Sequence, residues 1–271
     1  MTLWILALLA CSGGADDKTD GTVDAADTDT DTDTDTDTDT DTDTDSDTDS
    51  DTDSELPDVE VVQLETVDGV QLEGDLYGQP TPGDAAAFCL LHMIPPGNDR
   101  TGWPVDFIEA LRGEGWAVLA IDRRGAGASG GVAAEAYTGP NGKYDALACV
   151  EELTARNYTK IAMIGASNGT TTVIDYATWA VGQEDGVQVS AMGFMTGGDY
   201  TEIQTAMDDV PAVPAIFTYS VAERGWSVAQ QGLHDDVWVF EEYANGDHGT
   251  RMFDARPEVT DDLVAFFASV L

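Results

Sequence analysis

The stretch Ile161-Ala162-Met163-Ile164-Gly165-Ala166-Ser167-Asn168-Gly169 decides how the rest of this chain is read. An apolar strand runs into Gly-x-Ser-x-Gly, and residues 169–181 continue as a helix. A serine so placed sits on a strand-to-helix turn tight enough that the two elements nearly touch. Bulk at Gly165 or Gly169 would clash across that turn. The hydroxyl of Ser167 is pushed into the open above the helix N-terminus, whose dipole favours a developing negative charge. Gly-x-Ser-x-Gly is common by chance; its place between this strand and this helix makes Ser167 a candidate nucleophile.

Outward from that strand the chain alternates. Residues 59–67 and 70–77 flank Asp68-Gly69, a two-residue turn signal, and are expected to form a β-hairpin. Residues 87–91 make a short apolar strand, and 104–113 a helix with Phe107, Ile108 and Leu111 on one face. Residues 117–121 form a strand that runs into Asp122-Arg123-Arg124-Gly125-Ala126-Gly127. A helix over 144–156, strands over 187–195, 212–219 and 237–243, and a closing helix over 260–270 complete the order. Strands separated by helices predict a mostly parallel sheet with helices on both faces, opened by an antiparallel hairpin. In such α/β sheets active sites form at the carboxyl ends of the strands, and the chemically interesting residues here all follow strands. Only about sixteen residues separate 195 from 212, which leaves no room for a large cap.

A serine hydroxyl is a poor nucleophile without a base, and the chain has three histidines. His92 ends a strand, where a structural role is expected. His234 lies in a helical stretch before Asp235-Asp236 and reads as a surface residue. His248 sits in Asn245-Gly246-Asp247-His248-Gly249, a small-residue loop just past the last apolar strand. From there a base would reach Ser167. Asp247 adjoins His248 and reads as a hydrogen-bonder within its own loop.

From about residue 60 to 271 the chain resembles an α/β hydrolase of the compact, dienelactone-hydrolase-like kind. The residues that carry the resemblance are Gly165-Ala166-Ser167-Asn168-Gly169, Asp122-Arg123-Arg124-Gly125-Ala126-Gly127-Ala128-Ser129 and Gly246-Asp247-His248-Gly249. The order serine, acid, histidine is the one this fold uses. The resemblance implies an oxyanion hole from the amide after the nucleophile, Asn168, and a second amide at Met93, where many relatives have Gly. It also implies an acid after the penultimate strand. Glu223, in Tyr219-Ser220-Val221-Ala222-Glu223-Arg224, occupies that place; Asp199, one strand earlier, is the alternative. Asp122, Arg123 and Arg124 are expected to stabilise their loop, and Trp103, Trp179 and Trp226 to pack.

Composition bounds the rest. The formal net charge is −41, of which residues 16–55 carry −18 and residues 56–271 carry −23. A domain this acidic argues against nucleic acid as a partner, because phosphate neutralisation needs clustered Lys and Arg. Residues 27–54 are an unbroken alternation of Asp with Thr or Ser, which has nothing apolar to bury and repels itself. Residues 3–10 are a short apolar run ending at Cys11, too short for a membrane span and suited to a secretory signal. Leu8-Leu9-Ala10-Cys11 resembles the lipobox of bacterial lipoproteins, which implies cleavage before Cys11 and a diacylglycerol on its sulfur. The expected layout is a signal peptide over 1–10, a solvated acidic linker over 11–57 and a hydrolase domain over 58–271. About 40 flexible linker residues give a reach on the order of 35 Å. Cys89 and Cys149 sit in apolar patterns and read by default as buried free thiols, with a disulfide open to them in an oxidising compartment.

The expected chemistry is acyl transfer to water on a small or accessible ester, by an exported, lipid-anchored protein, with no metal or organic cofactor implied. Two rivals stand beside it. One is a peptidase of the prolyl-oligopeptidase type without its propeller; the other is an inactive hydrolase scaffold that binds at the cell surface.

Overall fold

The computed structural model describes residues 59–78, 83–205 and 207–271. The expected signal peptide, Cys11 and the acidic linker lie outside these residues.

Strands β1 (Val59–Glu65) and β2 (Gln71–Tyr77) form the expected antiparallel hairpin, with Leu64 opposite Leu72. Its turn is wider than the sequence suggested. The Thr66 N–H donates to the Val70 carbonyl at 2.9 Å, leaving residues 67–69 as a three-residue loop. Gly69 takes φ +83°, the left-handed position that such a loop requires. The Thr66 hydroxyl fastens the loop by accepting from the Val70 N–H at 2.9 Å and donating to Asp68 at 2.5 Å.

Strands β3 (Gly83–Leu91), β4 (Ala117–Ile121), β5 (Tyr158–Ala166), β6 (Ala191–Met195), β7 (Ala215–Ser220) and β8 (Trp238–Tyr243) are mutually parallel where they pair. With the hairpin they make one eight-stranded sheet, ordered β1-β2-β4-β3-β5-β6-β7-β8. Side chains alternate across it, as the two-residue period of a strand demands. Ile161 and Met163 of β5 enter one core, and Ala162, Ile164 and Ala166 enter the other.

Each core is closed by helices. The second holds Phe107, Ile108 and Leu111 of α1 (Val105–Gly113) and Leu263, Phe266 and Phe267 of the C-terminal helix Glu258–Val270. The first is covered by α3 (Gly142–Ala155), which follows the short α2 (Ala133–Tyr137), and by α4 (Gly169–Val181). Strands buried on both faces explain the continuous apolar runs. All five residues of β4 and of β6 are buried, at about 2 kcal/mol for each large side chain removed from water.

Among the described residues, the chain between β6 and β7 carries only α5 (Glu202–Thr205) and one 3-10 turn, and no large cap stands over the sheet. Two further short helices, α6 (Gly225–Ala229) and α7 (Met252–Ala255), precede the C-terminal helix, α8.

Two expectations need correction. Cys89 of β3 and Cys149 of α3 form a disulfide within the first core rather than remaining free thiols. His234 lies in a turn after α6, half-buried, with Nε2 3.1 Å from the Val210 carbonyl and its ring edge-on to Trp238. It packs there instead of standing on a helical surface.

Leu91, Ile121, Gly165 and Phe194 pair across neighbouring strands, so the loops that follow β3 to β6 open on one rim. Those after β7 and β8 continue that rim. Met93, Arg123, Ser167, Glu223 and His248 all lie on these loops.

Candidate active site

Ser167 stands between β5 and α4 with φ +50°, a left-handed conformation that is strained for any residue with a side chain. Its N–H donates to the Met195 carbonyl at 2.7 Å, which ties the turn to the end of β6. A Cβ at Gly165 would come within 2.6 Å of the Gly169 backbone, and one at Gly169 within 2.1 Å of the Leu91 carbonyl oxygen. The expected steric need for both glycines therefore exists on every side of the turn.

The Ser167 Oγ lies 2.6 Å from Nε2 of His248. On the other side of the ring, Nδ1 meets the Glu223 carboxylate in a short contact. A neutral imidazole that donates from Nδ1 to Glu223 leaves Nε2 free to accept the serine proton, which is the geometry a general base needs. Glu223 arrives on a single 3-10 turn, Val221–Glu223, directly after β7. Asp199, the alternative acid, is exposed in the loop after β6, and no hydrogen bond or ion pair joins it to the ring. Asp247 stays within its own loop: its Oδ1 accepts from the His248 N–H at 2.7 Å.

Two more residues reach this constellation without having been singled out in the sequence. Thr196, at the end of β6, also adopts a positive φ, +51°, and its Oγ1 accepts from the Gly249 N–H at 3.1 Å. It thereby anchors the loop that bears His248. The Tyr200 hydroxyl lies 3.3 Å from the Ser167 Oγ. No motif marks either one, because both act through loops distant in sequence.

Met93, Ile94, Pro104, Ser167, His248 and Thr250 line a cleft of about 530 Å3. Neither the Met93 nor the Asn168 backbone N–H is spent on an acceptor among the described residues. A somewhat larger groove, about 660 Å3, runs over α3 and the end of α4 near Trp179. Its lining includes Glu151, Thr154, Glu184 and Asp185 but no serine, cysteine or histidine, so the serine–histidine pair is found at the smaller cleft.

The supporting residues behave as expected. Asp122 accepts from the Ala128 N–H at 2.8 Å and from the Arg100 N–H at 2.8 Å, closing its loop. Arg124 pairs with Asp145 and Asp68. His92 is buried; its Nε2 accepts from the Arg123 N–H at 2.9 Å while Nδ1 donates to the Met93 carbonyl at 2.7 Å. Burial, assisted by the Arg123 charge, pushes the His92 pKa down to about 3, so this ring is neutral and structural. Trp103 packs against the contacting pair Phe107 and Phe253, and Trp226 donates to the Gln204 carbonyl at 2.9 Å. Among the described residues no group of His, Cys, Asp and Glu could hold a metal ion.

Several solved structures share the architecture. An esterase from Pyrococcus furiosus superposes with a TM-score of 0.61 at 16% identity, over 79% of this chain and 93% of its own. A putative aryl esterase from Burkholderia cenocepacia gives 0.61 at 15%, over 78% and 99%. An esterase from a Rhodococcus species gives 0.56 at 13%, over 78% and 99%. At these identities the likeness concerns the fold. No curated protein sequence matches the chain. A family described as "Serine aminopeptidase, S33" matches residues 88–249, more than half of the chain and the whole span from β3 to the loop of His248. With that match and this sheet, the chain belongs to the S33 serine aminopeptidase family of α/β hydrolases.

Proposed function

We propose that the protein is a serine hydrolase that cleaves a small or accessible ester through an acyl-enzyme, in the manner of compact dienelactone-hydrolase-like relatives. The observation that carries this reading is the 2.6 Å approach of the Ser167 Oγ to His248 Nε2 at the wall of an open cleft. As Ser167 attacks the carbonyl carbon, its proton passes to His248 and the π pair moves to the carbonyl oxygen. The N–H groups of Met93 and Asn168 receive that oxyanion. Collapse expels the alkoxide, which leaves as the alcohol with the proton from His248. Water, deprotonated by the same ring, then attacks the acyl group, and the acid departs with Ser167 restored. Glu223 orients the imidazole and offsets its transient positive charge.

A fluorophosphonate probe tests the reading. The full chain should be labelled at Ser167, and Ser167→Ala should not. Folded wild-type protein that resists the probe would instead support the scaffold that binds without catalysis. Aminopeptidases give the family its description, and the cleft that Ser167 opens onto is lined by one charge of each sign, Arg251 and Asp254, so its lining charge alone does not select between an ester and an amine-bearing substrate. An aminoacyl anilide therefore belongs in the substrate panel beside short esters, long esters and a lactone, with a short ester expected to react fastest.

The same reading places the domain outside the cytoplasm, held by a lipid on Cys11 through the acidic linker. The Cys89–Cys149 disulfide supports it, because such bonds persist in oxidising compartments. Cys11→Ser should move the protein from the membrane fraction to the soluble one. An unchanged distribution would count against the anchor.

A further inference from the structure

Arg123 and its neighbour Arg124 are the largest side chains with no exposed surface among the described residues, and Arg123 carries a full charge into the space beneath the candidate oxyanion hole. Burial lowers its pKa only to about 10, so the guanidinium stays protonated at neutral pH. No carboxylate forms an ion pair with it among the described residues; Asp145 and Asp175 act on it only at longer range. An unpaired buried charge is costly and persists only where its hydrogen bonds are all used. Here Nη2 donates to the Ala136 carbonyl at 2.7 Å and to the Thr172 hydroxyl at 2.9 Å, and Nε donates to the same hydroxyl at 3.2 Å. The remaining bonds are the informative ones. Nη1 donates both to the His92 carbonyl, at 3.3 Å, and to Asn168 Oδ1, at 3.0 Å.

These two acceptors belong to the two residue pairs that supply the oxyanion amides. The His92 carbonyl and the Met93 N–H share one trans peptide unit, so they point in opposite directions. Fixing the carbonyl inward on Arg123 turns the Met93 N–H outward. The next carbonyl, that of Met93, is held as well, by the His92 ring, whose other nitrogen rests on the backbone N–H of Arg123. Both carbonyls flanking the Met93 amide are thus tied to one arginine. On the other side, Asn168 spends its side-chain oxygen on the same Nη1 and leaves its own N–H without an acceptor among the described residues.

We propose that Arg123 is a positioning residue that sets both amides of the oxyanion hole from beneath, bridging the loop after β3 to the turn after β5. The proposal rests on the serine-hydrolase reading and adds a residue to it. Its mechanism is the preorganisation of donors before charge develops, on which transition-state stabilisation depends.

The test separates positioning from plain structural support. In Arg123→Met, kcat on a reactive short ester should fall about 10- to 100-fold, with KM within about threefold. Affinity for a trifluoromethyl ketone, which mimics the tetrahedral adduct, should fall by the same factor as kcat. Arg123→Lys, which keeps the charge and reaches fewer acceptors, should recover part of both losses. A folded Arg123→Met with wild-type kcat and ketone affinity overturns the proposal, as does a loss confined to thermal stability. If Arg123→Met does not fold, Asn168→Ala decides. It removes one of the two holds and no backbone donor, and should lower kcat and ketone affinity together about threefold to tenfold. No change in either overturns the proposal. A wild-type chain that hydrolyses none of the substrates overturns the serine-hydrolase reading and this inference with it. An active enzyme indifferent to these substitutions overturns this inference alone.

Discussion

Glu223 meets the His248 ring with two-fifths of its side-chain surface still open to solvent. Water therefore competes for the carboxylate and screens its charge, so its electrostatic effect on the imidazole is smaller than that of a fully buried acid. Its orienting role persists, because Nδ1–H must face an acceptor for Nε2 to face the serine. Glu223→Gln should lower kcat by about two orders of magnitude and Glu223→Ala by a similar factor, with KM little changed. Steady-state kinetics on a short ester reads this directly, and a loss below about threefold would mean that another group orients the ring. Ser167 and His248 could be singled out in the sequence because each sits in a short pattern of small residues at the end of an apolar strand. Glu223 depended on counting strands. Thr196, Tyr200 and the bridging role of Arg123 left no such trace, since their partners lie 31 to 53 positions away along the chain.

The turn from β5 into α4 is the element on which the constellation hangs, and its tolerance is set by backbone atoms. A methyl at Gly169 would meet the Leu91 oxygen at 2.1 Å and the His92 oxygen at 2.6 Å, and neither can swing aside as a side-chain tip would. Gly169→Ala should therefore destabilise the domain by about 3 kcal/mol or more. Gly97→Ala, where an added methyl meets nothing within 4 Å, should be close to silent. Urea unfolding of the two variants beside wild type checks the contrast; equal midpoints would show that the turn can relax. Elements of this kind were legible because burial on both faces writes strands as unbroken apolar runs. Where the pattern misled, the backbone had no neighbouring strand to pair with; the Val187 carbonyl accepts from the Tyr176 hydroxyl instead. Val187 and Val189 contact the core, yet the chain joins the sheet only at the Ser190 N–H, which donates to the Ile161 carbonyl, and β6 starts at Ala191. The helices α2, α5, α6 and α7 have five residues or fewer, too few to show a helical period.

At the scale of the whole molecule, two buried groups pull the pH dependence of folding in opposite directions. His92 has its pKa depressed to about 3 by burial. The unfolded chain takes up that proton first, so the stability this ring contributes is complete above pH 6.5 and is lost as pH falls toward 3. Asp175 behaves inversely. Burial raises its pKa to about 6, although Lys143 and Arg123 hold it partly down, and its Oδ1 has no hydrogen-bond partner. A folded pKa above the unfolded value of 3.8 means that the folded state holds the proton more tightly. Its stabilising share is then complete below about pH 4 and disappears as pH rises through 6. At neutral pH the fold carries an ionised, unpaired carboxylate on α4, at a cost of about 2–3 kcal/mol. Asp175→Asn removes that charge with little change of shape. It should raise the unfolding free energy at pH 7.5 by about 2 kcal/mol, leave it near the wild-type value at pH 4, and steepen the acid-side loss that His92 drives. Urea titrations of both proteins from pH 4 to 8 separate the two groups. A variant that gains as much at pH 4 as at pH 7.5 would show that the gain comes from packing, with the carboxylate already relieved by a partner in solution.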